Sequence, residues 1–349
     1  MSKPSRFGRA PTIGEVAQAA GVSRATVSRT FSQPDRLSET TLQRVLAVAE
    51  RLGYVPNQVA RALSTGRAGN IALIVPDVAN PFFPPLIRGA QARADEAGYA
   101  VFLGDSDETP AREDILLAKL AAQVEGFVLA APRLPEDRLR IHAKRRPLVL
   151  INRDVANIPR VLVDTAAGVA AAIDHLVALG HRHIVYVSGP SASWSNHQRQ
   201  LAAGLAAERT GIRLDRIATH RPTYVAGQDC TDELLATGAT AVVAFDDLVA
   251  QGIMAGLASR GMSVPARLSV VGCDDVLAAT TYPPMTTIAA HCAEAGQRAV
   301  ELLLEMLASG VPRTIPITIA AELVVRATTA PPPRAVSPRP RSRRGRDLS

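Results

Sequence analysis

The chain has 349 residues, with 39 Lys and Arg against 32 Asp and Glu, and its 47% hydrophobic and 4% aromatic content is typical of a globular protein of two or three packed units. The charge is unevenly spread, because residues 1–67 carry ten basic and four acidic residues and residues 331–349 carry six Arg and one Asp. The part between them is therefore acidic. Basic ends on an acidic body argue against a uniformly cationic protein and favour a localised polyanion-binding part, for which nucleic acid is the first candidate.

Membrane, secreted and disulfide-rich classes are not favoured by the sequence. No stretch approaches the roughly 18–20 uninterrupted apolar residues of a membrane span. The basic N-terminus lacks the apolar run of a secretory signal, so we expect a cytoplasmic protein that does not engage a membrane. Cys230, Cys273 and Cys292 are odd in number and far apart, which favours reduced, buried thiols over a disulfide framework or a CxxC metal site.

Residues 12–53 predict three short helices. Thr12 and Glu15 have the spacing of a capping box that begins the first helix, and Gly21 is positioned to end it. Ser38 is expected to cap the third helix. The apolar face of that third helix is predicted to contain Leu42, Val45, Leu46, Ala49 and Leu52.

Ala17, Gly21 and Val27 have the A-x3-G-x5-V spacing of a helix-turn-helix motif. The second helix has few apolar residues and two arginines, so most of its surface is predicted to face outward. Arg can bind guanine in the major groove, and short hydroxyl side chains can bind phosphates. The predicted base contacts are Arg24, Ala25 and Arg29, and the predicted backbone contacts are Thr12, Ser23, Thr26, Ser28 and Asn57. The alternatives are a helical bundle with solvated charges, and a phosphate contact alone for Arg29.

From Ile71 onward, short apolar runs alternate with helical patterns. The runs lie at 71–75, 100–103, 126–129, 148–151, 184–187, 241–244 and 268–271. Because they lack polar alternation, they predict strands buried on both faces, and the helical patterns between them predict parallel crossovers. We therefore expect two doubly wound α/β lobes, with ligands bound beyond the carboxyl ends of the strands.

Several segments together resemble the lactose-repressor (LacI/GalR-type) family of bacterial transcription regulators over residues 12–329. They are residues 12–29, 37–63, 80–83 (Asn-Pro-Phe-Phe), 177–181, 271–275 and 284–288. The resemblance implies an α/β protein with an N-terminal three-helix helix-turn-helix head and a hinge helix, followed by two doubly wound parallel-sheet lobes that resemble type I periplasmic sugar-binding proteins. It also implies a homodimeric repressor on a pseudo-palindromic double-stranded DNA operator, with a small polar, sugar-like effector between the lobes.

The resemblance divides the chain into five parts. They are a disordered basic N-terminus (1–11), a helix-turn-helix DNA-binding domain (12–56), a hinge helix and linker (57–69), a two-lobed effector-binding and dimerisation domain (70–330), and a disordered Arg- and Pro-rich tail (331–349). The first lobe is expected at about 70–163 plus 290–320, and the second at about 164–289 plus 321–330. The tail would add only sequence-independent attraction to DNA.

The hinge helix is implied at residues 57–64. By the resemblance, Leu63 is a wedge that enters the DNA minor groove, and Ala60 packs beside it. The length of this segment agrees with a hinge role, because about two turns of helix are too short to be stable alone. Packing of Leu63 onto the body is the alternative.

The resemblance carries seven effector-binding positions to this chain. They are Asp77, Phe82, Phe83, Arg153, Arg199, Asp246 and Asp274. Three positions depart from the family pattern: Asp246 stands where Asn is usual, Ala290 where Gln is frequent, and Pro222 where an aromatic residue is frequent. The extra carboxylate favours a neutral sugar, polyol or nucleoside over a strongly anionic effector. Trp194 is expected at the mouth of the cleft or, equally, as an incidental surface residue.

Catalytic and metal-binding motifs are missing from the sequence. It contains no GxGxxG after a strand, no GxxxxGK[ST], no GxSxG and no HExxH, so we expect neither an enzyme nor a cofactor. His181 and His183 form an HxH pair with no Cys, Asp or Glu close in sequence, so no metal site is expected. The alternatives are a sugar-active enzyme with a cryptic site, a periplasmic binding protein, and an architectural DNA-binding protein that needs no effector.

Overall fold

The computed structural model describes residues 11–54 and 69–333, which belong to two units that divide between Gly69 and Asn70. We describe the head (11–54) and the body (69–333) separately. Residues 1–10, the implied hinge residues Asn57, Ala60 and Leu63, and the tail beyond residue 333 lie outside the described residues. Within the described ranges, no helix is long and apolar enough to cross a membrane.

Three α-helices and one 3-10 helix form the head. Their bounds are Ile13–Ala20 (α1), Arg24–Ser32 (α2), Pro34–Arg36 (3-10) and Glu39–Leu52 (α3). The predicted capping box begins α1, because the Thr12 amide donates to the Glu15 carboxylate and the Glu15 amide donates to the Thr12 hydroxyl. Gly21 ends α1 in the left-handed conformation, with φ of 65°, which Gly adopts without steric cost. The prediction of these helices is confirmed.

Two details predicted for α3 are wrong. Ser38 stands at the N-cap, but its hydroxyl donates to the Thr41 hydroxyl at 2.9 Å and accepts no backbone amide. Leu46 and Leu52 are each 37% exposed instead of buried. The residues of α3 that enter the head core are Val45, Val48 and Ala49. The buried stripe is centred near Val45, so Leu46, turned by about 100° along the helix, faces away from the core.

The body contains twelve strands and nine α-helices within residues 69–333. The strands are Asn70–Val75 (β1), Ala100–Asp105 (β2), Gly126–Ala130 (β3), Leu148–Ile151 (β4), Arg160–Asp164 (β5), His183–Ser188 (β6), Arg213–Ala218 (β7), Ala241–Ala244 (β8), Ser269–Asp274 (β9), Thr286–Ala289 (β10), Ile317–Ala320 (β11) and Glu322–Val324 (β12). The helices are Phe83–Glu96 (α4), Pro110–Leu120 (α5), Glu136–Arg145 (α6), Thr165–Ala178 (α7), Trp194–Thr210 (α8), Tyr224–Asp229 (α9), Thr231–Ala236 (α10), Asp247–Ser259 (α11) and Cys292–Ser309 (α12), with a 3-10 helix at Ala278–Thr280.

The strands form two six-stranded sheets, each of which defines a lobe. Lobe 1 has the order β11-β5-β4-β3-β1-β2, and lobe 2 has the order β12-β10-β9-β8-β6-β7. The pairings are parallel except for β10 with β12, which is antiparallel. Helices cover both faces, so alternate residues of β1 enter two separate cores: Leu73 packs toward α4 and α12, and Ile74 packs on the opposite face with Leu117 of α5.

The chain passes between the lobes three times. It leaves lobe 1 where β5 ends at Asp164, returns between Ala289 and Cys292, and passes once more between Ala320 and Glu322. Helix α7 packs on β10 and β12 of lobe 2, whereas α12 packs on α4 and β4 of lobe 1. Each lobe is therefore assembled from two separate stretches of the chain.

The expected fold of two parallel-sheet lobes is confirmed, and all seven predicted strands are present. Burial on both faces is wrong for β2, because β2 is an edge strand and Leu103 within it is 47% exposed. Five strands were not predicted: β5, β7, β10, β11 and β12. Strand β7 (RLDRIA) is an edge strand with three charged residues, and β10 (TTIA) begins with two threonines, so neither has a continuous apolar run.

Helices α4 and α12 cross at two glycines. A Cβ on Gly89 would overlap the carbonyl oxygen of Ala293, and a Cβ on Gly296 would overlap the carbonyl oxygen of Leu86. The missing side chains therefore allow the two backbones to touch, and this close approach lets both helices pack on the same face of the lobe 1 sheet.

We expect Gly296→Ala to lower the free energy of unfolding by about 1–3 kcal/mol, because the added methyl group forces the two helix backbones apart. Gly204→Ala in α8 is the matched control, since a Cβ there meets only the flexible guanidinium end of Arg216, at 3.2 Å, and Ala favours a helix more than Gly does. Urea unfolding of both variants measures the difference. Equal destabilisation by the two substitutions would contradict the close-packing role of Gly296.

Candidate functional site

One continuous face of helix α2 is exposed on the surface of the head. Its exposed residues include Arg24, Ala25, Ser28 and Arg29, whereas Val27 and Thr30 are buried. Positions i, i+1, i+4 and i+5 lie side by side on a helix, so the two arginines share this face instead of pointing into the core. A protruding helix with two guanidinium groups and a partially positive N-terminus has the chemistry needed to meet an anionic groove.

The capping interactions limit which hydroxyl groups of the head are free to donate. The Ser23 hydroxyl caps α2 by accepting the Thr26 amide at 3.1 Å, and the hydroxyls of Ser23 and Thr26 are 2.9 Å apart. The Thr12 hydroxyl donates to Glu15 at 2.9 Å. Since a hydroxyl has a single proton, Thr12 donates to a phosphate only after releasing Glu15.

A cleft lies between the two lobes, at the carboxyl ends of their parallel strands, and its space is about 410 Å³ when the open solvent at its mouth is included. Five of the seven predicted effector positions line it: Phe82, Phe83, Arg199, Asp246 and Asp274. The lining residues that sequence reasoning missed include Asn80, Glu108, Arg133, Asn152, Ser193, Ser195 and Phe245. Pro222, noted as a departure from the family pattern, also lines the cleft. The lining thus combines aromatic rings with many hydrogen-bonding groups, which is the composition of a site for a small polar molecule.

Arg199 on α8 organises the lobe 2 side of the cleft. Its side chain is almost completely buried; Nε donates to the Thr165 hydroxyl at 2.8 Å, and Nη1 donates to the Phe245 carbonyl at 2.5 Å. The guanidinium also lies over the Phe245 ring, 4.9 Å from its centre, and Nη2 is 3.8 Å from Asp274. One cation therefore joins the start of α7 to the ends of β8 and β9.

Asp246 caps helix α11 and also lines the cleft. As the N-cap of α11 it accepts the Val249 amide at 2.8 Å, and its other oxygen accepts the Asn80 side-chain amide at 3.0 Å across the cleft. Burial raises the pKa of Asp246 to about 6 and raises the pKa of Asp274 well above its ordinary value. Both carboxyl groups are therefore easier to protonate than a solvated carboxylate.

A second connection across the cleft is an ion pair between Asp107 of lobe 1 and Arg221 of lobe 2, at 2.6 Å. The hydrogen bond and the charge of Arg221 hold the pKa of Asp107 below its ordinary value. Unlike the Asn80–Asp246 bond, this pair is about half exposed, so solvent screens it and its contribution is small.

The backbone around the cleft is strained at several strand ends. Glu108, Ala131, Asn152 and Asp274 all line the cleft with positive φ, from 44° to 117°. Such conformations persist only where the surrounding structure enforces them, and they concentrate at functional sites. Glu108, Ala131 and Asn152 follow β2, β3 and β4, and Asp274 ends β9, so backbone turns at the ends of four strands place these residues at the cleft.

Asp77 and Arg153 do not line the cleft, in contrast to the expectation for them. The Asp77 carboxylate accepts the Ala79 amide at 2.9 Å and closes the turn that presents Asn80. Asn152, the residue before Arg153, lines the cleft instead and has a φ of 52°. Arg153 is not among the residues that line the cleft. The Arg153 Nε is buried and has no hydrogen-bond partner among the described residues.

Trp194 is half-buried and does not line the cleft. It lines a neighbouring cavity of about 450 Å³ beside the connection from Asp164 to Thr165, together with Gln198 and Thr318. Ser195 lines both this cavity and the cleft, so the two spaces share a wall.

The two histidines of the HxH pair bond to different partners. His181 bonds to the Thr240 hydroxyl and the Ala330 carbonyl, and His183 bonds to the Asp215 carboxylate at 2.8 Å. Within residues 11–54 and 69–333, no group of three His, Cys, Asp or Glu side chains is arranged to hold a metal ion. The three cysteines are free and buried.

An exposed basic helix in a helix-turn-helix head, combined with a two-lobed body that encloses a polar cleft, defines a ligand-responsive DNA-binding regulator. The family model for bacterial regulatory proteins of the lacI family matches residues 12–57, and the model for a periplasmic binding protein-like domain matches residues 173–329. The transcriptional repressor CytR of Escherichia coli strain K12 is 32% identical over 92% of this chain and 96% of its own length. The chain belongs to the LacI family of bacterial transcription regulators.

Solved structures agree with this assignment. The lac repressor dimer bound to operator and the anti-inducer ONPF superposes with a TM-score of 0.83 at 27% identity, covering 92% of this chain and 100% of that chain. A LacI-family regulator from Enterococcus faecium with bound ribose gives a TM-score of 0.69 at 28% identity, covering 75% and 99%. The resemblance seen in the sequence is confirmed, and the chain is a DNA-binding transcriptional regulator, as its relatives are, and not an enzyme.

We expect Arg199→Leu to lower the free energy of unfolding by about 3–5 kcal/mol, because it leaves the buried Asp274 carboxylate without its cation and removes two hydrogen bonds. Adding Asp274→Asn to that variant should recover part of the loss, since the uncompensated charge disappears. A double-mutant cycle measured by urea unfolding tests the pairing. Strictly additive losses would mean that the two side chains do not depend on each other.

Proposed function

We propose that this protein is a repressor that binds a pseudo-palindromic operator as a homodimer and changes its operator affinity when a sugar, polyol or nucleoside occupies the cleft. The observation that carries the proposal is the combination, in one chain, of an exposed arginine-bearing helix with a buried cleft rich in hydrogen-bonding groups. Since operator DNA lies in the cytoplasm, we also propose a cytoplasmic location.

In the proposed complex, α2 enters the major groove. Arg24, Ala25 and Arg29 read base edges, because they occupy the exposed face of the helix. The proposed backbone contacts are Thr12, Ser23, Thr26, Ser28 and Asn57, with Ala60 and Leu63 in the minor groove. Two heads on two half-sites give the protein the two-fold symmetry that a palindrome requires. The lac repressor structure, a dimer on its operator, supports this arrangement.

The proposed effector binds between Phe82 or Phe83 on one side and Arg199, Asp246 and Asp274 on the other. Fixed carboxylates and a guanidinium suit hydroxyl groups, and aromatic rings suit the flat faces of a sugar or a base. The bound ribose in the Enterococcus faecium regulator supports a sugar as the ligand. Asp77 and Arg153 act behind the cleft in this proposal, since neither lines it.

Effector binding alters contacts that join the lobes. The Asn80–Asp246 hydrogen bond and the Asp107–Arg221 ion pair both cross the cleft, so a ligand that replaces or tightens them changes the angle between the lobes. Coupling of this kind typically amounts to about 1–3 kcal/mol between two binding sites.

The DNA half of the proposal is tested on an operator selected from random DNA with the full-length protein. A palindromic consensus is expected, and Arg24→Ala should lose about 1–3 kcal/mol of preference at one position of each half-site. Arg44→Ala, an exposed arginine on α3, is the matched control for the lost charge and should weaken all sequences alike. Equal losses on specific and random DNA for Arg24→Ala would contradict its base-reading role.

The effector half is tested by isothermal titration with sugars and polyols (in neutral and amino forms), nucleosides, sugar phosphates and dicarboxylates. At least one compound of the first three classes should bind and change operator affinity roughly 5- to 150-fold. Tight binding of a sugar phosphate or a dicarboxylate, together with no binding by the other classes, would overturn this choice of effector.

A further inference from the structure

The charges that line the cleft do not balance. Among the described residues, its acidic side chains are Glu108, Asp246 and Asp274, and its basic side chains are Arg133 and Arg199. Four of these five residues are less than 9% exposed, and Glu108 is only slightly more accessible. One negative charge is therefore in excess in a largely desolvated space, where an unmatched charge is costly.

Glu108 and Arg133 neutralise each other. The Arg133 Nε is 2.5 Å from one carboxylate oxygen of Glu108, and its Nη2 is 3.1 Å from the other oxygen. The remaining nitrogen, Nη1, donates to the Ala131 carbonyl at 2.9 Å. This bidentate pair is complete within lobe 1, so Arg133 does not compensate the carboxylates of lobe 2.

Arg199 is the cation nearest to the lobe 2 carboxylates, but most of its hydrogen-bonding capacity is used elsewhere. Nε and Nη1 bond to Thr165 and to the Phe245 carbonyl, and Nη2 is 3.8 Å from Asp274, beyond hydrogen-bond distance. One guanidinium thus faces two carboxylates and bonds directly to neither of them.

Asp246 retains acceptor capacity toward the cleft. Each of its oxygens accepts one hydrogen bond, from Val249 and from Asn80, and a carboxylate has about four lone-pair sites. Both of these donors are uncharged. Asp246 is therefore a buried carboxylate with its geometry fixed, and no cation among the described residues is hydrogen-bonded to it.

We propose that the effector carries a protonated amine, as an amino sugar or amino polyol does, and that Asp246 receives this ammonium group with Asp274 as the second carboxylate. The inference rests on the proposed effector function of the cleft and narrows the ligand class within it. An ammonium group supplies the missing positive charge and three hydrogen-bond donors, whereas a hydroxyl group at the same place donates one.

The protonation behaviour of Asp246 and Asp274 agrees with this inference. Burial raises the pKa of Asp246 to about 6, and burial also raises the pKa of Asp274 well above its ordinary value. The two buried carboxyl groups thus accept a proton more readily than solvated carboxylates do, and an ammonium group would provide the same charge.

The experiment compares amino compounds with their hydroxyl counterparts by isothermal titration at pH 7, using the full-length protein. The pairs are glucosamine with glucose, galactosamine with galactose, mannosamine with mannose, and 1-amino-1-deoxyglucitol with glucitol. In at least one pair, the amino compound should bind about 10- to 100-fold tighter. In Asp246→Asn this ratio should fall close to one, and thermal unfolding checks the fold, since Asn is an equally good N-cap for α11.

Asp275→Asn is the matched control. Asp275 follows Asp274 directly, but it pairs with Arg326 at 2.7 Å and does not line the cleft, so the amine preference should persist in that variant. Three results would overturn the inference: equal or tighter binding of the hydroxyl compounds, an unchanged ratio in Asp246→Asn, or no binding by any amino compound. Binding of hydroxyl compounds alone would leave the proposed regulator intact, and the operator selection tests DNA binding separately.

Discussion

The buried guanidinium of Arg199 is the interaction on which the ligand-binding side of this regulator depends. A cation removed from water is stable only if every partner is in position. Here the partners are the Thr165 hydroxyl at the start of α7, the Phe245 carbonyl after β8 and the Asp274 carboxylate at the end of β9. Arg199 thereby contacts three elements that are far apart in sequence and fixes their positions relative to one another on this side of the cleft.

Folding and recognition use the same side chains in this cleft. Asp246 caps α11 and also bonds to Asn80 in the opposite lobe, so the start of a helix and a contact between the lobes depend on one carboxylate. The strained residues at the strand ends have a similar double role, because the rigid sheets below them enforce conformations that a free loop would avoid. Substitution in such a site changes stability and specificity together, which is why measurements of both are needed to separate them.

Much of the head could be predicted from the sequence because its signals are local. The Thr12–Glu15 capping box and Gly21 act within a few residues, and the structure has both. The errors in α3 arose where several apolar residues compete for one face, since Leu46 and Val48 are equally apolar and only packing decides which is buried.

The cleft was predictable at Asp246 and Asp274, which follow or end predicted strands and also match the family pattern, and at Arg199, which only the family pattern marked. Glu108 and Arg133 were missed because their pairing joins residues 25 positions apart and leaves no local signal. Asn80 and Asn152 offered a clue, since each follows a buried strand closely and asparagine tolerates the backbone turns found there. Edge strands such as β7 escape detection for a related reason, because one side meets solvent and no continuous apolar run is required.

Because the chain passes between the lobes three times, neither sheet can be completed until late in the synthesis of the protein. Strand β11 forms one edge of the first sheet and β12 forms one edge of the second, and both lie within residues 317–324. The head is complete in the nascent chain long before either sheet can close. A product that terminates before residue 317 keeps every described residue of the head but leaves β5 and β10 as open sheet edges, so translation to near the end of the chain is what completes the sensor.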